Sequence, residues 1–171
     1  MKQDEFNAFC ASLPHTLYVC QWGGADVWKV GTADKNKLFV VGGWNKDSTE
    51  HKRGKAEQPS ALMRRANTNA SRAGVEQSET AVSEIKHYAA SFKCGEIAFE
   101  FLRDTPGCRP APYLASRGMK WIQCFKSGGL TDEGVTDADL KDYLRESHRL
   151  ASLNLTKKLQ KQLGLNQGDA G

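Results

Sequence analysis

The chain has 171 residues, 39% of them hydrophobic, and a formal net charge of +4. This length suits a single domain with its own core, and no stretch approaches the 18 apolar residues of a membrane-spanning helix. Asp4 and Glu5 stand where a secretory signal needs basic and apolar side chains, so we expect a cytoplasmic protein with no membrane partner.

The first quarter of the chain predicts a helix followed by three strands. Phe6, Phe9 and Leu13 recur at helical spacing, which predicts a helix over residues 2–13, and Pro14 ends it. Runs rich in β-formers then predict strands over residues 16–22, 27–31 and 38–41, joined as an antiparallel meander.

Residues 45–86 differ in composition from the rest of the chain. They are poor in large apolar residues, and seven basic against three acidic residues give positions 46–74 a net charge of +4. Two weak helical patterns, over 59–72 and 76–86, have too little apolar surface to dock firmly. We therefore predict a basic, flexible insertion that extends a hairpin.

Residues 88–125 predict a strand, a helix, a rigid loop and a second strand. The strands cover residues 88–93 and 119–125, and a helix-period run between them ends at Pro106-Gly107. A proline-rich link over 109–113 is predicted as a loop. The residues that we expect to be buried here are Phe99, Phe101, Leu102, Trp121 and Ile122.

The carboxy-terminal part predicts two helices. Thr136 is a plausible N-cap with Asp139 three residues later, which is typical of a capping box. A longer helix runs from there to about Asn154, a short one covers 156–163, and residues 166–171 should fray. The predicted fold is α+β: a two-layer, five-stranded antiparallel sheet with helices on one face, forming one domain over residues 1–165.

The same segments carry a resemblance to a known family. The run FKCGEIAFEFLRDTPGCRPAPYLASRGMKWIQ (92–123) resembles the signature region of the MmcQ/YjbR family, and the stretches 1–44 and 136–163 resemble its two ends. The resemblance implies a compact α+β domain, similar to the secretion-chaperone-like and CyaY-like folds, in a family that is commonly labelled DNA-binding. Residues 45–86 lie outside the resemblance.

No catalytic motif stands out. The five cysteines are odd in number and contain no CxxC pair, and the four histidines are scattered, so we expect no metal and no cofactor. Cys94 follows Lys93 just before a helix, where its pKa could be lowered, but a buried and inert thiol is the simpler interpretation. We predict a protein that is not an enzyme.

Lysines and arginines are the predicted contacts to DNA phosphates. In the core these are Lys93, Arg109, Arg117, Lys120 and Lys126, and in the insertion Lys52, Arg53, Lys55, Arg64 and Arg65. The alternatives are that Arg109 caps a helix carbonyl or pairs with Asp104, that Arg117 and Lys120 are only solvated, and that the insertion is a solvated linker. No helix carries a major-groove recognition pattern, so we expect weak binding with little sequence specificity.

Aromatic side chains are candidates for stacking on bases. Trp22, Trp44 and Tyr113 are the predicted stacking residues, whereas most tryptophans of a small strand-rich domain belong to its core. The rival prediction is a protein-interaction or chaperone-like module, monomeric or homodimeric, that uses the sheet face without helices.

Overall fold

The structure, a computed structural model, describes residues 1–43, 88–125 and 134–167. Within these ranges six antiparallel strands form one sheet in the order β1-β2-β3-β4-β6-β5. The strands are β1 (Thr16–Gln21), β2 (Ala25–Gly31), β3 (Asn36–Gly42), β4 (Ala90–Lys93), β5 (Cys108–Pro110) and β6 (Trp121–Cys124). The helices are α1 (Gln3–Ser12), α2 (Glu96–Leu102), α3 (Asp137–Ser152) and α4 (Lys157–Gln162), with a 3-10 turn at Ala115–Arg117. None of the described helices is long and apolar enough to cross a bilayer.

The predicted count of five strands is wrong, because the proline-rich link contains β5. Pro110 has no N–H to donate, and proline is therefore tolerated in a sheet at an edge strand. β5 is the edge strand beside β6, and Pro110 lies opposite Ile122. The flanking hydrogen bonds, from Phe125 N to Gly107 O and from Ala111 N to Trp121 O, place Pro110 at a position that does not need its N–H.

One face of the sheet and all four described helices build the main core. The sheet contributes alternate residues of its central strands, and the helices contribute Phe6 and Cys10 from α1, Leu102 from α2, Leu140 and Leu144 from α3, and Leu159 from α4. The strand residues of this core include Trp28, Val30, Val40, Phe92 and Ile122. We call this side the helix-covered face.

The opposite face, predicted to be open, is buried at its centre. Val27 and Val41, which are register partners, are both 0% exposed. Next to them, Ser91 and Gln123 are also buried and are joined by a hydrogen bond of 3.2 Å from Gln123 Nε2 to Ser91 Oγ. The apolar centre of this face is therefore not exposed.

The burial predicted for Phe101, on the two-turn helix α2, is wrong. Phe99 and Leu102 are buried against the core, and Trp121 and Ile122 are buried on β6, as predicted. Phe101 is 68% exposed, because it follows Phe99 by about half a turn and so points away from the sheet.

Helix α3 docks on a β-bulge through a buried serine. The register between β2 and β3 shifts at Phe39, whose carbonyl accepts a hydrogen bond of 2.5 Å from Ser147 Oγ. The same hydroxyl accepts a hydrogen bond of 2.8 Å from the backbone N of Lys93. Ser147 thus satisfies two backbone groups where β3 and β4 separate. As predicted, Thr136 and Asp139 form the capping box that begins α3.

The ends of the predicted insertion are neighbours in the sheet. Gly42 and Ala90 are register partners, and Gly43 N donates a hydrogen bond of 2.8 Å to Ala89 O. The residues from 45 to 86 themselves, including the two predicted weak helices, lie outside the described part of the chain.

Candidate nucleic-acid interface

A cleft of about 320 Å³ lies between the turn that joins β2 to β3 and the turn that joins α3 to α4. Its two walls are residues 34–37 and residues 154–156 with Leu159. The first wall is fixed by Asn36, whose Nδ2 donates to Thr32 O at 2.9 Å and to Ala33 O at 3.0 Å. Gly31 is required for this turn: its φ is +132°, and a Cβ there would lie 2.3 Å from Lys35 O.

The second wall is held in place by buried residues and by hydrogen bonds to the backbone. Leu155 and Leu159 are buried in the main core, and Thr156 caps α4 by accepting a hydrogen bond of 3.3 Å from Leu159 N. Gln160, also buried, donates from Nε2 to Leu155 O at 2.7 Å. Both walls are therefore held by hydrogen bonds and apolar packing that do not involve the charged side chains.

Five lysines lie on the elements that contribute residues to this cleft, and we call them the cleft lysines: Lys35, Lys37, Lys157, Lys158 and Lys161. The first two line the cleft, and the other three lie on the solvent side of α4. All five are exposed, and within the described residues none of them is in an ion pair. Residues 153–167 contain no acidic residue, and Asp34 is the acidic residue of the cleft wall. The cleft is therefore a locally positive surface with ammonium groups available to an anion.

The outer surface of α3 is different, because its arginines are neutralised on their own helix. Arg149 Nη2 lies 2.7 Å from Glu146 Oε1, and Arg145 pairs with Asp142. The Arg145 guanidinium also lies 5.0 Å from the centre of the Phe9 ring. Pairing with Arg149 outweighs partial burial and lowers the pKa of Glu146. These contacts leave little net charge to offer to a polyanion.

Lys120, a predicted phosphate contact, is engaged within the protein. Its Nζ lies 2.7 Å from Glu96 Oε1, 4.0 Å from Glu100 Oε1 and 4.8 Å from the centre of the Phe99 ring. The hydrogen bond to Glu96 raises the pKa of Lys120. Lys120 thus links α2 to the start of β6 by ion pairs. A phosphate would have to compete with two carboxylates for its ammonium group.

Arg109 lies on β5 rather than in a loop. Its Nε donates a hydrogen bond of 2.9 Å to Gln123 Oε1, and its guanidinium lies 4.9 Å from the centre of the Phe125 ring. Asp104, the acid considered as its partner, lies 3.9 Å from Arg103 Nε. The side chain of Arg109 is therefore oriented by β6.

The remaining predicted DNA-contact and base-stacking residues lie on several different elements. Arg117 is exposed at the end of the 3-10 turn, and Lys93 is half-buried at the end of β4. Trp22 is 53% exposed and Tyr113 60% exposed, and both have positive φ, so each lies at a turn with about half of its surface in solvent. None of them, nor Lys120 or Arg109, is among the residues that line the cleft. Lys126, Trp44 and the insertion residues Lys52, Arg53, Lys55, Arg64 and Arg65 lie outside the described residues.

A second polar cluster surrounds Asp26 on the helix-covered face. Its carboxylate, 3% exposed, accepts hydrogen bonds from Gln3 Nε2 at 2.9 Å, Asn7 Nδ2 at 3.0 Å and Tyr18 Oη at 2.7 Å, and another from the Tyr88 hydroxyl. Burial by itself raises the pKa of Asp26, but the four hydrogen bonds outweigh it and leave the pKa below its ordinary value. We call these residues the Asp26 cluster. It joins α1 to the sheet, and its donors are neutral side chains already committed to the carboxylate.

Sequence reasoning missed both the cleft lysines and the Asp26 cluster. The spacing of Lys157, Lys158 and Lys161 on a short helix was a usable signal of an exposed basic surface. Nothing in the sequence placed Lys35 and Lys37 beside that helix. An aspartate in a predicted strand likewise carries no signal of its burial, because the four donors come from three other segments.

Comparisons with known proteins agree with this architecture. The family model described as YjbR matches residues 11–150, which is most of the chain. The search of curated proteins found no match to this chain. A solved structure, the Deinococcus radiodurans protein DR2400 with a DUF419 domain, is similar with a TM-score of 0.57 and 19% identity, covering 95% of this chain and 87% of that one. At that identity the likeness shows the fold alone. On the match of the family model, the chain belongs to the YjbR family.

Proposed function

We propose that this protein binds DNA through phosphate contacts, with little sequence specificity and without catalysis, and that the cleft lysines are its main contact surface. The observation that carries the proposal is their convergence. Lys35 and Lys37 lie on one wall of the cleft, and three lysines from the far end of the sequence lie on α4, which contributes Leu159 to the other wall.

Lysine ammonium groups suit this role because each has three donors and needs no fixed orientation. Contacts of this kind position a protein on a duplex but do not read its bases. The described chain offers no long helix with an exposed recognition pattern near the cleft, since α4 is a six-residue helix. The expected binding is therefore electrostatic and strongly dependent on salt.

The size of the salt effect follows from the number of lysines. Each phosphate neutralised on duplex DNA contributes about −0.9 to the slope of log K against log salt concentration, so five contacts give about −4.5. Affinity should then fall roughly 500-fold between 50 and 200 mM salt. If Lys157, Lys158 and Lys161 are changed to Gln, the slope should fall in magnitude by about 2.7.

The experiment is fluorescence anisotropy on a labelled duplex at several salt concentrations, with two variants that lose the same net charge. One carries the three Gln substitutions in α4. The matched control changes Arg103, Arg145 and Arg149 to Gln, which removes three arginines that are ion-paired within the protein. We expect the α4 variant to lose slope and affinity and the control to lose much less. Equal losses would show that only net charge matters, and unchanged binding in the α4 variant would refute the proposed surface.

The predicted basic insertion is tested separately. Changing Arg53, Lys55, Arg64 and Arg65 to Ala in the same assay measures any contribution from that segment. If both sets contact the same duplex, their effects on the slope should add.

The rival function, a protein partner on the sheet face opposite the helices, has less support. Val27 and Val41 at the centre of that face are 0% exposed and offer no apolar surface to a partner. An interaction of this class would need another surface, and the outer side of α2 with Ile97 (88% exposed) and Phe101 is the described apolar surface best suited to it.

A further inference from the structure

Two cysteines face each other across the edge of the sheet. Cys108 on β5 is the register partner of Cys124 on β6. Two backbone hydrogen bonds of 2.9 Å flank β5, from Phe125 N to Gly107 O and from Ala111 N to Trp121 O. The ladder hydrogen bonds of an antiparallel pair recur at every second residue, so they fall at positions 107, 109 and 111. Cys108 and Cys124 therefore occupy a position without ladder hydrogen bonds.

Such positions bring opposite side chains closest together. The Cα atoms of opposite residues are about 4.5 Å apart there, compared with about 5.5 Å at hydrogen-bonded positions. Disulfides span Cα separations of about 4.4–6.8 Å, so the two cysteines can be joined without moving the strands apart. Their thiols already contact each other, since the side chains of Cys108 and Cys124 share a hydrogen bond.

The surroundings favour reaction within this pair over reaction with other thiols. Cys108 is 8% exposed and Cys124 1% exposed, and both belong to the main core. A bulky disulfide reagent has poor access to them, whereas a small peroxide is close to water in size. Cys20, on β1, is the exposed thiol of the chain.

We propose that Cys108 and Cys124 are a cross-strand oxidation site, at which a hydroperoxide converts two thiols into one disulfide. The Cys108 thiolate, on the more exposed strand, attacks the terminal oxygen of the peroxide. The O–O bond breaks, Cys108 becomes a sulfenic acid, and hydroxide takes a proton to leave as water. The thiolate of Cys124 then attacks the Cys108 sulfur, the S–O bond breaks, and the second oxygen leaves as water. With hydrogen peroxide, two thiols and one peroxide give one disulfide and two waters.

The rate of the first step is set by the thiolate fraction. The hydrogen bond with Cys124 and burial both raise the pKa of the Cys108 thiol well above its ordinary value. The thiolate fraction at neutral pH is therefore small, and it grows tenfold for each pH unit below that pKa. Oxidation should be slow at pH 7 and close to tenfold faster at pH 8.

The disulfide would close the segment 109–123, which contains Arg109, Tyr113 and Arg117. A cross-link of this loop length reduces the conformational entropy of the unfolded chain. For a protein of this size it should raise the Tm by roughly 6–12 °C. Oxidation of this pair would thus stabilise the proline-containing edge strand without rearranging the sheet.

The test uses the full chain with Cys20→Ser, so that the exposed thiol cannot cross-link two molecules. The reduced protein is treated with hydrogen peroxide at pH 7, 8 and 9, denatured in N-ethylmaleimide and measured by mass spectrometry. We expect the loss of two hydrogen atoms, two fewer alkylated thiols, and a tryptic cross-link between peptides 104–117 and 121–126. Dithiothreitol should reverse the product and the rise in Tm.

A second variant, Cys124→Ser, provides the control. Its Cys108 should add oxygen without forming a cross-link, and its Tm should not rise on oxidation. The proposal is overturned if Cys108 and Cys124 both remain alkylated in the Cys20→Ser protein after treatment at pH 9, if they gain oxygen without a cross-link, or if either pairs with Cys10 or Cys94. These readouts are independent of DNA binding.

Discussion

Replacing Asp26 with Asn tests whether the buried carboxylate holds α1 on the sheet. Three of its hydrogen bonds, from Gln3, Asn7 and Tyr88, meet at Oδ2, and the fourth, from Tyr18, reaches Oδ1. An amide of the same shape keeps one acceptor oxygen but has no charge. Because its NH2 group cannot accept, one donor must turn away or reverse its role.

The expected cost follows from the difference between charged and neutral hydrogen bonds. A hydrogen bond to a charged group contributes about 1.5–3 kcal/mol and a neutral one about 0.5–1.5 kcal/mol, so weakening three of them costs about 3 kcal/mol in free energy of unfolding. Relief of the buried charge would oppose this loss. However, the lowered pKa of Asp26 indicates that the hydrogen bonds outweigh desolvation in the folded state.

The measurement is urea unfolding followed by tryptophan fluorescence at pH 7, with Asp34→Asn as the matched control. Asp34 is exposed in the turn before β3, and its substitution should change stability by less than about 0.5 kcal/mol. A D26N protein as stable as the wild type, with an unchanged m-value, would refute the reasoning.

The pH dependence of the free energy of unfolding tests the same hydrogen bonds at both acidic and alkaline pH. The pKa of Asp26 is lowered on folding, so its stabilisation is present above the unfolded value of about 3.8 and is lost as pH falls through the lower folded value. The hydrogen bond to Asp26 raises the pKa of Tyr18 to about 12, and burial with the same carboxylate raises the pKa of Tyr88. Their stabilisation is present below pH 10 and is lost as pH rises above it. Both losses should be smaller in D26N.

Three further predictions concern the core. Ser147→Ala should cost about 2–4 kcal/mol in urea unfolding, because the carbonyl of Phe39 and the N–H of Lys93 lose their buried partner, and a cost below 1 kcal/mol would contradict this. Replacing residues 45–86 with a short turn should leave a cooperative thermal transition, since the flanking strands are already paired; loss of that transition would show that the segment belongs to the core. Burial lowers the pKa of His148, so stability should fall as pH drops below about 6.5, and His148→Gln should remove that slope between pH 7 and 5.

Local features were predicted where one segment contains the whole signal. Pro14 ends α1, Thr136 begins α3, and the alternating runs locate β1 to β4, since caps, breakers and periodicity act within a few residues. The family resemblance was confirmed for the same reason, because its motifs lie on these elements. The edge strand β5 was missed because a three-residue strand with a proline has no periodicity to detect.

By itself, the sequence determined the α+β class, the order of most elements and the family. Tertiary structure decided the burial of Asp26, the meeting of the β2–β3 turn with the start of α4, and the opposition of Cys108 and Cys124. Each of these depends on the register of paired strands or on the docking of distant segments. Such contacts are set by the packing of the whole core, and a shift of one residue in register would turn the same side chains to the other face.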